Sequence, residues 1–527
     1  MAKRKTKKSA VPVERWCFWL ILLLGVAARL WRFGALPAGF NQDEAFAAYE
    51  AWSLLHFGTD SAGYAWPVYL TAWGSGMNAL ESYLMLPFLA LFGRQVWAVR
   101  LPQMIIGCLS LPALYGTVRR AADQKTALWA MLLLAICPWH ILLSRWALES
   151  NLAPGMLLFG TYFFVRGLDD SRFLPVSALC YGLALYTYAT IWPILPFALL
   201  AQGIYCVRRG RLKADRGLLI AVLLLVILAL PLVLFLAVNL GWMQEIRTPI
   251  FSIPKLLVMR SGEISLRHIP ENLKNLFTIL WTQADGLPWN SPGAISLSGG
   301  MNGLFGLYYI LTPPFLLLGL VYCARQLFRG GKEFRPAALL VIWLLAGLVL
   351  GALVHVNINR VNILFLPLLV LSAAGLAWFC ELLRGKAAPI LAAAYLVLFA
   401  CFCGLYFNPQ SDYQNNMRFN FGDGLEQALA AAAEQETPIV LDAHIQYPTV
   451  LFYSGMPVDA FRDTVQYRTY PAAYLSAVSF AEYRFDYEGG TPEHGVCYIL
   501  SPWTDASSLQ EAGFRSEQYG IYTVWTR

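Results

Sequence analysis

Apolar positions in this chain come in long uninterrupted runs rather than in the alternating or three-to-four spacing of amphipathic elements. Residues 217–240 and 336–354, for example, carry no charged side chain. Each run is long enough to cross a hydrocarbon layer of about 30 Å as a helix. Basic clusters punctuate the runs: residues 3–8, Arg119/Arg120/Lys125, Arg166/Arg172, 208–216, 325–335 and Arg384/Lys386. Cytoplasmic loops are the ones that accumulate Lys and Arg. Placing all these clusters on one side predicts eleven spans, roughly 15–33, 97–118, 126–143, 151–166, 173–189, 190–207, 217–239, 302–324, 337–355, 360–378 and 388–407. The odd number sends the tail to the side opposite the N-terminus. The predicted arrangement is a multi-pass plasma-membrane protein with a cytoplasmic N-terminus and an extracytoplasmic tail. The basic start followed by an apolar run resembles a signal peptide, but no A-x-A site follows, so it is read as an uncleaved first span.

Residues 77–92 are apolar but short, and they contain Glu81 and Pro87. They are expected to form a juxtamembrane helix on the outer face. Two long outer segments result, 34–96 and 240–301. The tail reads as a small α/β domain over 408–527, following a transmembrane domain over 1–407. Its expected elements are helices at 422–435 and 506–512 and strands at 438–441, 496–500 and 519–525. No internal repeat is visible.

Composition supports this picture. Hydrophobic residues make up 58% and charged residues 13%, against about 25% charged in soluble domains. The net charge of +7 is unevenly spread: the tail holds 15 Asp/Glu against 6 Arg and no Lys, a balance of −9, which leaves +16 in the first 407 residues. The basic excess sits in short loops and forms no continuous patch, so nucleic acid is not an expected partner. Nine of the ten cysteines lie in or beside apolar runs and only Cys497 lies in the tail, which excludes a disulfide within it. The six histidines are scattered, which argues against a His-built metal site.

Three polar clusters stand at predicted outer edges of spans. The first is Asn41-Gln42-Asp43-Glu44, after the turn residues Pro37 and Gly39. A carboxylate here can serve as a general base toward an acceptor hydroxyl. Asp43 can equally cap a helix over 45–55. The second runs from His140 through Ser144, Arg145 and Glu149 to Asn151. Arg145 and Glu149 are spaced to pair on a helix, yet charges at a membrane boundary are expensive and often functional. The third is His355-Val356-Asn357-Ile358-Asn359-Arg360, with Asn362. An arginine on the outer side runs against the positive-inside bias, and its planar guanidinium suits a phosphate. It can also snorkel to lipid headgroups.

At these places the sequence resembles the membrane GT-C glycosyltransferases, specifically the superfamily of protein O-mannosyltransferases and aminoarabinose (ArnT-like) transferases. The likeness rests on Asp43-Glu44 after the first span, Phe92-Gly93 with Arg100-Leu101-Pro102, Pro138-Trp139-His140 with Ser144-Arg145 and Glu149-Ser150-Asn151, and Asn359-Arg360 with Pro367. It covers most of residues 1–407. Glu149 stands where many relatives carry Asp. The resemblance implies a helical GT-C fold, a polyprenyl-phosphate-sugar donor, a hydroxyl acceptor and inversion at the anomeric carbon. It implies that Asp43 takes the acceptor's proton, with Glu44 beside it, that Glu149 is a second acidic residue of the site, and that Arg360 holds the carrier phosphate, with His355, Asn359 and Asn151 among the substrate-binding residues. Arg145 is expected from electrostatics to be a further phosphate partner. No cofactor is required, although Asp43 and Glu44 could weakly bind a divalent metal. The competing reading is a multi-span lipid or glycan transporter or flippase, which would more often place its ionisable residues near mid-membrane and show paired repeats.

Overall fold

The computed structural model describes residues 13–259, 264–287, 303–328 and 334–527. The basic cluster at 3–8 and part of the outer segment 240–301 lie outside the described residues. The membrane part consists of α1 (Val13–Leu30), α2 (Gln42–Phe57), α3 (Leu80–Phe92), α4 (Val96–Ala121), α5 (Gln124–Ile136), α6 (Pro138–Leu143), α7 (Leu152–Gly167), α8 (Leu174–Ala184), α9 (Leu195–Arg208), α10 (Arg216–Asn239), α11 (Ile269–Thr282), α12 (Thr312–Phe328), α13 (Ala337–Leu353), α14 (Phe365–Leu382) and α15 (Ala388–Tyr406). Among the described residues, the segments Val96–Ala121, Arg216–Asn239, Asn362–Leu382 and Ala388–Tyr406 are long and apolar enough by themselves to cross a membrane. Each of the eleven predicted spans contains a helix, several of them shorter than predicted.

Proline explains one of the differences. The span predicted over 126–143 breaks between α5 and α6 because Pro138 has no N–H to donate and restricts Cys137, which is extended at φ −60°, ψ 120°. Between α8 and α9 the chain leaves helical geometry after Ala184 and exposes a turn with one short 3₁₀ stretch, Ala189–Ile191. That turn becomes part of the site described below. Helix α3 has 13 residues, a length of about 20 Å, too short to cross.

Small residues let α12 and α14 meet closely. A Cβ placed on Gly319 would collide with the Leu371 carbonyl, and one on Gly375 with the Phe315 carbonyl. Backbone proximity of this kind is how helices associate where burial from water offers no drive.

The tail folds into α16 (Asp412–Phe421), α17 (Leu425–Ala433), α18 (Tyr447–Ser454), α19 (Val458–Thr464), α20 (Ser507–Glu511) and a seven-stranded sheet. Two short hairpins precede it in the chain, β1 (Tyr69–Leu70) with β2 (Met77–Asn78) and β3 (Ile246–Arg247) with β4 (Ser252–Ile253). The sheet comprises β5 (Ile439–Asp442), β6 (Gln466–Tyr467), β7 (Ala477–Phe480), β8 (Tyr483–Tyr487), β9 (Cys497–Leu500), β10 (Arg515–Tyr519) and β11 (Tyr522–Thr526), in the order β10-β11-β9-β5-β8-β7-β6. Strand β5 is parallel to both its neighbours. The tail shares one apolar core with the first outer segment: Phe40, Phe46, Tyr49 and Leu54 pack with Leu425, Tyr447, Leu451 and Phe452. Gly39, at φ 85°, lets the loop before α2 lie against the Phe421 carbonyl, where any Cβ would clash.

Candidate active site

The site begins with how α2 starts. Asn41, not Asp43, is its cap: the Asn41 side chain accepts from the Asp43 amide at 3.0 Å, and the Glu44 side chain accepts from the Asn41 amide at 3.2 Å. This reciprocal box satisfies two donors of the first turn, and the helix therefore begins at Gln42 rather than at 45. Asp43 is left on the first turn, half-buried, with its side chain on the wall of a cavity of about 480 Å³.

Four further segments, with Phe235, Leu256 and Met259, complete that wall. The β1–β2 turn supplies Trp73 to Asn78, the end of the α6–α7 connection supplies Glu149 and Ser150, the turn after α8 supplies Tyr188 to Thr190, and the connection from α13 to α14 supplies Asn357, Asn359 and Arg360. The tail closes it with Gln446 and residues Tyr474 to Ser476. Leu475 donates its amide to the Trp73 carbonyl at 2.7 Å, which fastens the tail over the opening.

The cavity's charged groups are held by neighbours. Glu149 accepts a hydrogen bond from the Asn78 amide. The Arg360 amide donates to the Asn357 side chain at 2.8 Å, and its guanidinium reaches the His355 carbonyl at 3.3 Å. The Asn362 side chain donates to the Ser150 carbonyl at 2.7 Å, tying the Arg360 turn to the residue after Glu149. Two carboxylates and one guanidinium thus face one concave space from three distant parts of the sequence.

Residues 79–235 match the family described as dolichyl-phosphate-mannose-protein mannosyltransferase. The whole chain superposes on the crystal structure of ArnT from Cupriavidus metallidurans bound to undecaprenyl phosphate, with a TM-score of 0.54, 14% identity and 98% of each chain covered. The apo form of the same protein gives 0.52, 15% and 97% of each chain. The oligosaccharyltransferase of Archaeoglobus fulgidus, in complex with Zn and sulfate, gives 0.51 and 17% over 80% of this chain and 55% of that one. The chain has the ArnT-like GT-C fold. No curated protein matches it by sequence, so the likeness rests on fold and on the family match.

Within this GT-C fold the predicted residues separate into two groups. Asp43, Glu149, Asn359 and Arg360 line the cavity. Glu44, Arg145, Asn151 and His355 do not. Glu44 is fully buried and accepts from Arg100 at 2.9 and 2.8 Å and from the Ala147 amide at 2.8 Å. Both its oxygens are thus engaged by Arg100 and a backbone amide. Among the described residues no cluster of three His, Cys, Asp or Glu could hold a metal. Arg145 is buried and donates to the carbonyls of Arg29, Arg32 and Leu36 at 2.7, 2.8 and 2.9 Å, with the Phe407 ring 5.4 Å away. It shapes the exit of α1 toward the Asp43 loop and does not reach the cavity. Asn151 donates to the Trp146 carbonyl at 3.1 Å, and His355 is exposed.

Two contributors were not singled out from the sequence. Arg100 lies in the quoted motif, but only the fold shows that it neutralises Glu44 and also donates to the Pro37 and Gly39 carbonyls at 2.8 and 3.0 Å. Glu81 is buried, accepts from Gln103 at 2.8 Å, and feels Glu44 and Glu149 nearby. Burial, and then those two carboxylates, push it well above the ordinary carboxylate range, against the pull of the Gln103 hydrogen bond. The signal available for it was an acid inside an otherwise apolar helix.

Proposed function

We propose that this chain is an inverting glycosyltransferase that moves a sugar from a polyprenyl-phosphate-linked donor to a hydroxyl acceptor of protein, lipid or cell-envelope glycan, at the outer face of the plasma membrane. The single observation that carries the reading is that Asp43 and Arg360 line one cavity. A base and a phosphate-binding cation are the two groups such a transfer needs on opposite sides of the anomeric carbon.

In this mechanism the acceptor oxygen bonds to the anomeric carbon as the bond from that carbon to the carrier phosphate oxygen breaks. The acceptor proton passes to the Asp43 carboxylate. The electron pair leaves with the phosphate, whose growing charge is met by Arg360. Glu149, fixed by the Asn78 amide, orients sugar or acceptor hydroxyls from the adjoining wall. Apolar walls such as Trp192, Phe235 and Leu256 lower the local dielectric and strengthen these contacts. In this reading residues 1–407 form the transferase domain with its N-terminus in the cytoplasm, and residues 408–527 form an extracytoplasmic α/β domain that closes the cavity. The transporter reading draws no support from the family match or from the folds it resembles.

Carrier binding tests the assignment of Arg360. Purified full-length protein is expected to bind undecaprenyl phosphate, and Arg360→Ala to weaken that binding by about tenfold or more, the range of a charge-assisted contact. Equal affinity in the variant removes Arg360 from the phosphate site.

A further inference from the structure

A second cavity, of about 500 Å³, lies between α8, α9 and α10 and has no part in the site above. Its walls are apolar: Leu174, Tyr181, Leu200, Ile204, Val222 and Leu225 line it. Several of these side chains are exposed, Leu200 at 60% and Val222 at 50%. One charged residue lines it, Arg208, at the end of α9.

Charge at this end is not balanced by the protein. The nearby acids are engaged: Asp169 takes Arg211 at 2.7 Å, Asp170 takes Arg172 at 2.8 Å, and Asp215 caps α10 by accepting from the Leu218 amide at 3.0 Å. Arg208 and Arg216 form no salt bridge among the described residues, Lys213 has only the Asp215 carboxylate that already caps α10, and all three cations are exposed. The loop joining α9 to α10 contributes Leu212 to the groove wall, so Lys213 stands beside it and Arg216 opens the next helix.

The groove is also far from the reaction cavity. Helix α10 reaches the groove at Leu218 and the reaction cavity at Phe235, which separates the two by about 26 Å along the helix. A carrier whose phosphate sits at Arg360 cannot place that phosphate at Arg208.

We infer that the groove between α8, α9 and α10 is a binding site for an anionic membrane phospholipid, its acyl chain along the apolar wall and its phosphate against Arg208 and Lys213. Apolar grooves between membrane helices that open onto unpaired cations recruit anionic headgroups in this way. The site is independent of the sugar-transfer reading and concerns a lipid on the opposite leaflet.

Native mass spectrometry of the detergent-purified full chain tests it, using palmitoyl-oleoyl phosphatidylglycerol and the phosphatidylcholine with the same chains. The wild-type protein is expected to retain phosphatidylglycerol in preference. Arg208→Ala with Lys213→Ala is expected to lower that preference about fivefold for each cation removed. Val222→Trp, which fills the groove from an exposed position, is expected to reduce both lipids. Arg119→Ala with Arg120→Ala, in another basic loop, is expected to leave retention unchanged. Equal retention of the two lipids by the wild type, or an unchanged preference after loss of Arg208 and Lys213, overturns the inference. Displacement of phosphatidylglycerol by undecaprenyl phosphate in Arg360→Ala also overturns it, because the groove would then belong to the carrier.

Discussion

Glu44 and Arg100 form a fully buried ion pair, 2.8 Å from Nη2 to Oε2, and the carboxylate that Arg100 neutralises also joins the two segments carrying the cavity's carboxylates. Glu44 follows Asp43 in α2 and also accepts from the Ala147 amide, two residues before Glu149. Removing one partner of a buried pair leaves the other charge unpaired, at a cost of about 3–5 kcal/mol. Arg100→Ala and Glu44→Ala are therefore each expected to lower the unfolding temperature sharply in detergent, with little further loss in the double variant. Additive losses in that cycle would show that the pair does not act as a unit.

Asn362 acts on the site without lining it. Its side chain is the link from the Arg360 turn to the Ser150 carbonyl. Asn362→Ala is expected to lower kcat by roughly ten- to a hundredfold, as a small misplacement of catalytic groups does, while unfolding shifts only slightly. Full activity in a folded variant removes the link from the account.

The outer segment carries a pH dependence of its own. Glu50 is buried in α2, and burial, then the neighbouring Asp60, push its carboxyl up from 4.5 to about 8, against hydrogen bonds from Ser61. Asp60 is pushed up as well, by burial first, against hydrogen bonds that include Tyr64 and Thr71. Between pH 4.5 and about 8 the folded chain keeps a proton at Glu50 that the unfolded chain has lost, so stability falls as pH rises through that window. Glu50→Gln is expected to flatten the decline and to raise the unfolding temperature by a few degrees at pH 8, measured against pH 5. A wild-type unfolding temperature that climbs with pH over this range contradicts the assignment.

The close approach of α12 and α14 makes a steric prediction. Gly375→Val drives a side chain into the Phe315 carbonyl, and overpacking of this kind costs about 1–3 kcal/mol or more. Gly404, on α15, has open space where a Cβ would stand. Gly404→Ala is expected to be tolerated, and equal loss of folded protein in both variants would argue against a specific α12–α14 contact.

Much of this architecture was legible in the sequence because membrane spans are written in one dimension. A run such as 217–240 needs no partner to be recognised, and α10 occupies it as Arg216–Asn239. The tail was read less completely: β9, α17 and α20 fall within predicted elements and β5 and β11 overlap them, but α16, α18 and the strands β6, β7 and β8 do not. The apolar residues of α18 are buried against the first outer segment, as Phe452 is against Phe40 at 4.9 Å, and those of α16 against the membrane helices, and periodicity within the tail carries no trace of those surfaces. The site divides the same way. Residue type and position drew attention to Asp43, Glu149, Asn359 and Arg360. Type alone could not distinguish Glu44 from its neighbour Asp43: a helix turn of one residue aims one carboxylate at the cavity and the other at Arg100, whose place 56 residues later is set only by packing. Arg145 misled for a related reason, since backbone carbonyls at and just beyond the end of α1 can bind a guanidinium as well as a phosphate can.

The most direct test of the central claim is single-turnover sugar transfer by Asp43→Asn against the wild type. The assay uses purified protein with a polyprenyl-phosphate-linked sugar and a hydroxyl acceptor. The substitution keeps shape and removes the base, so the account predicts unchanged unfolding and carrier binding with transfer slowed by about a hundredfold or more. Transfer at the wild-type rate in a folded Asp43→Asn protein would contradict it.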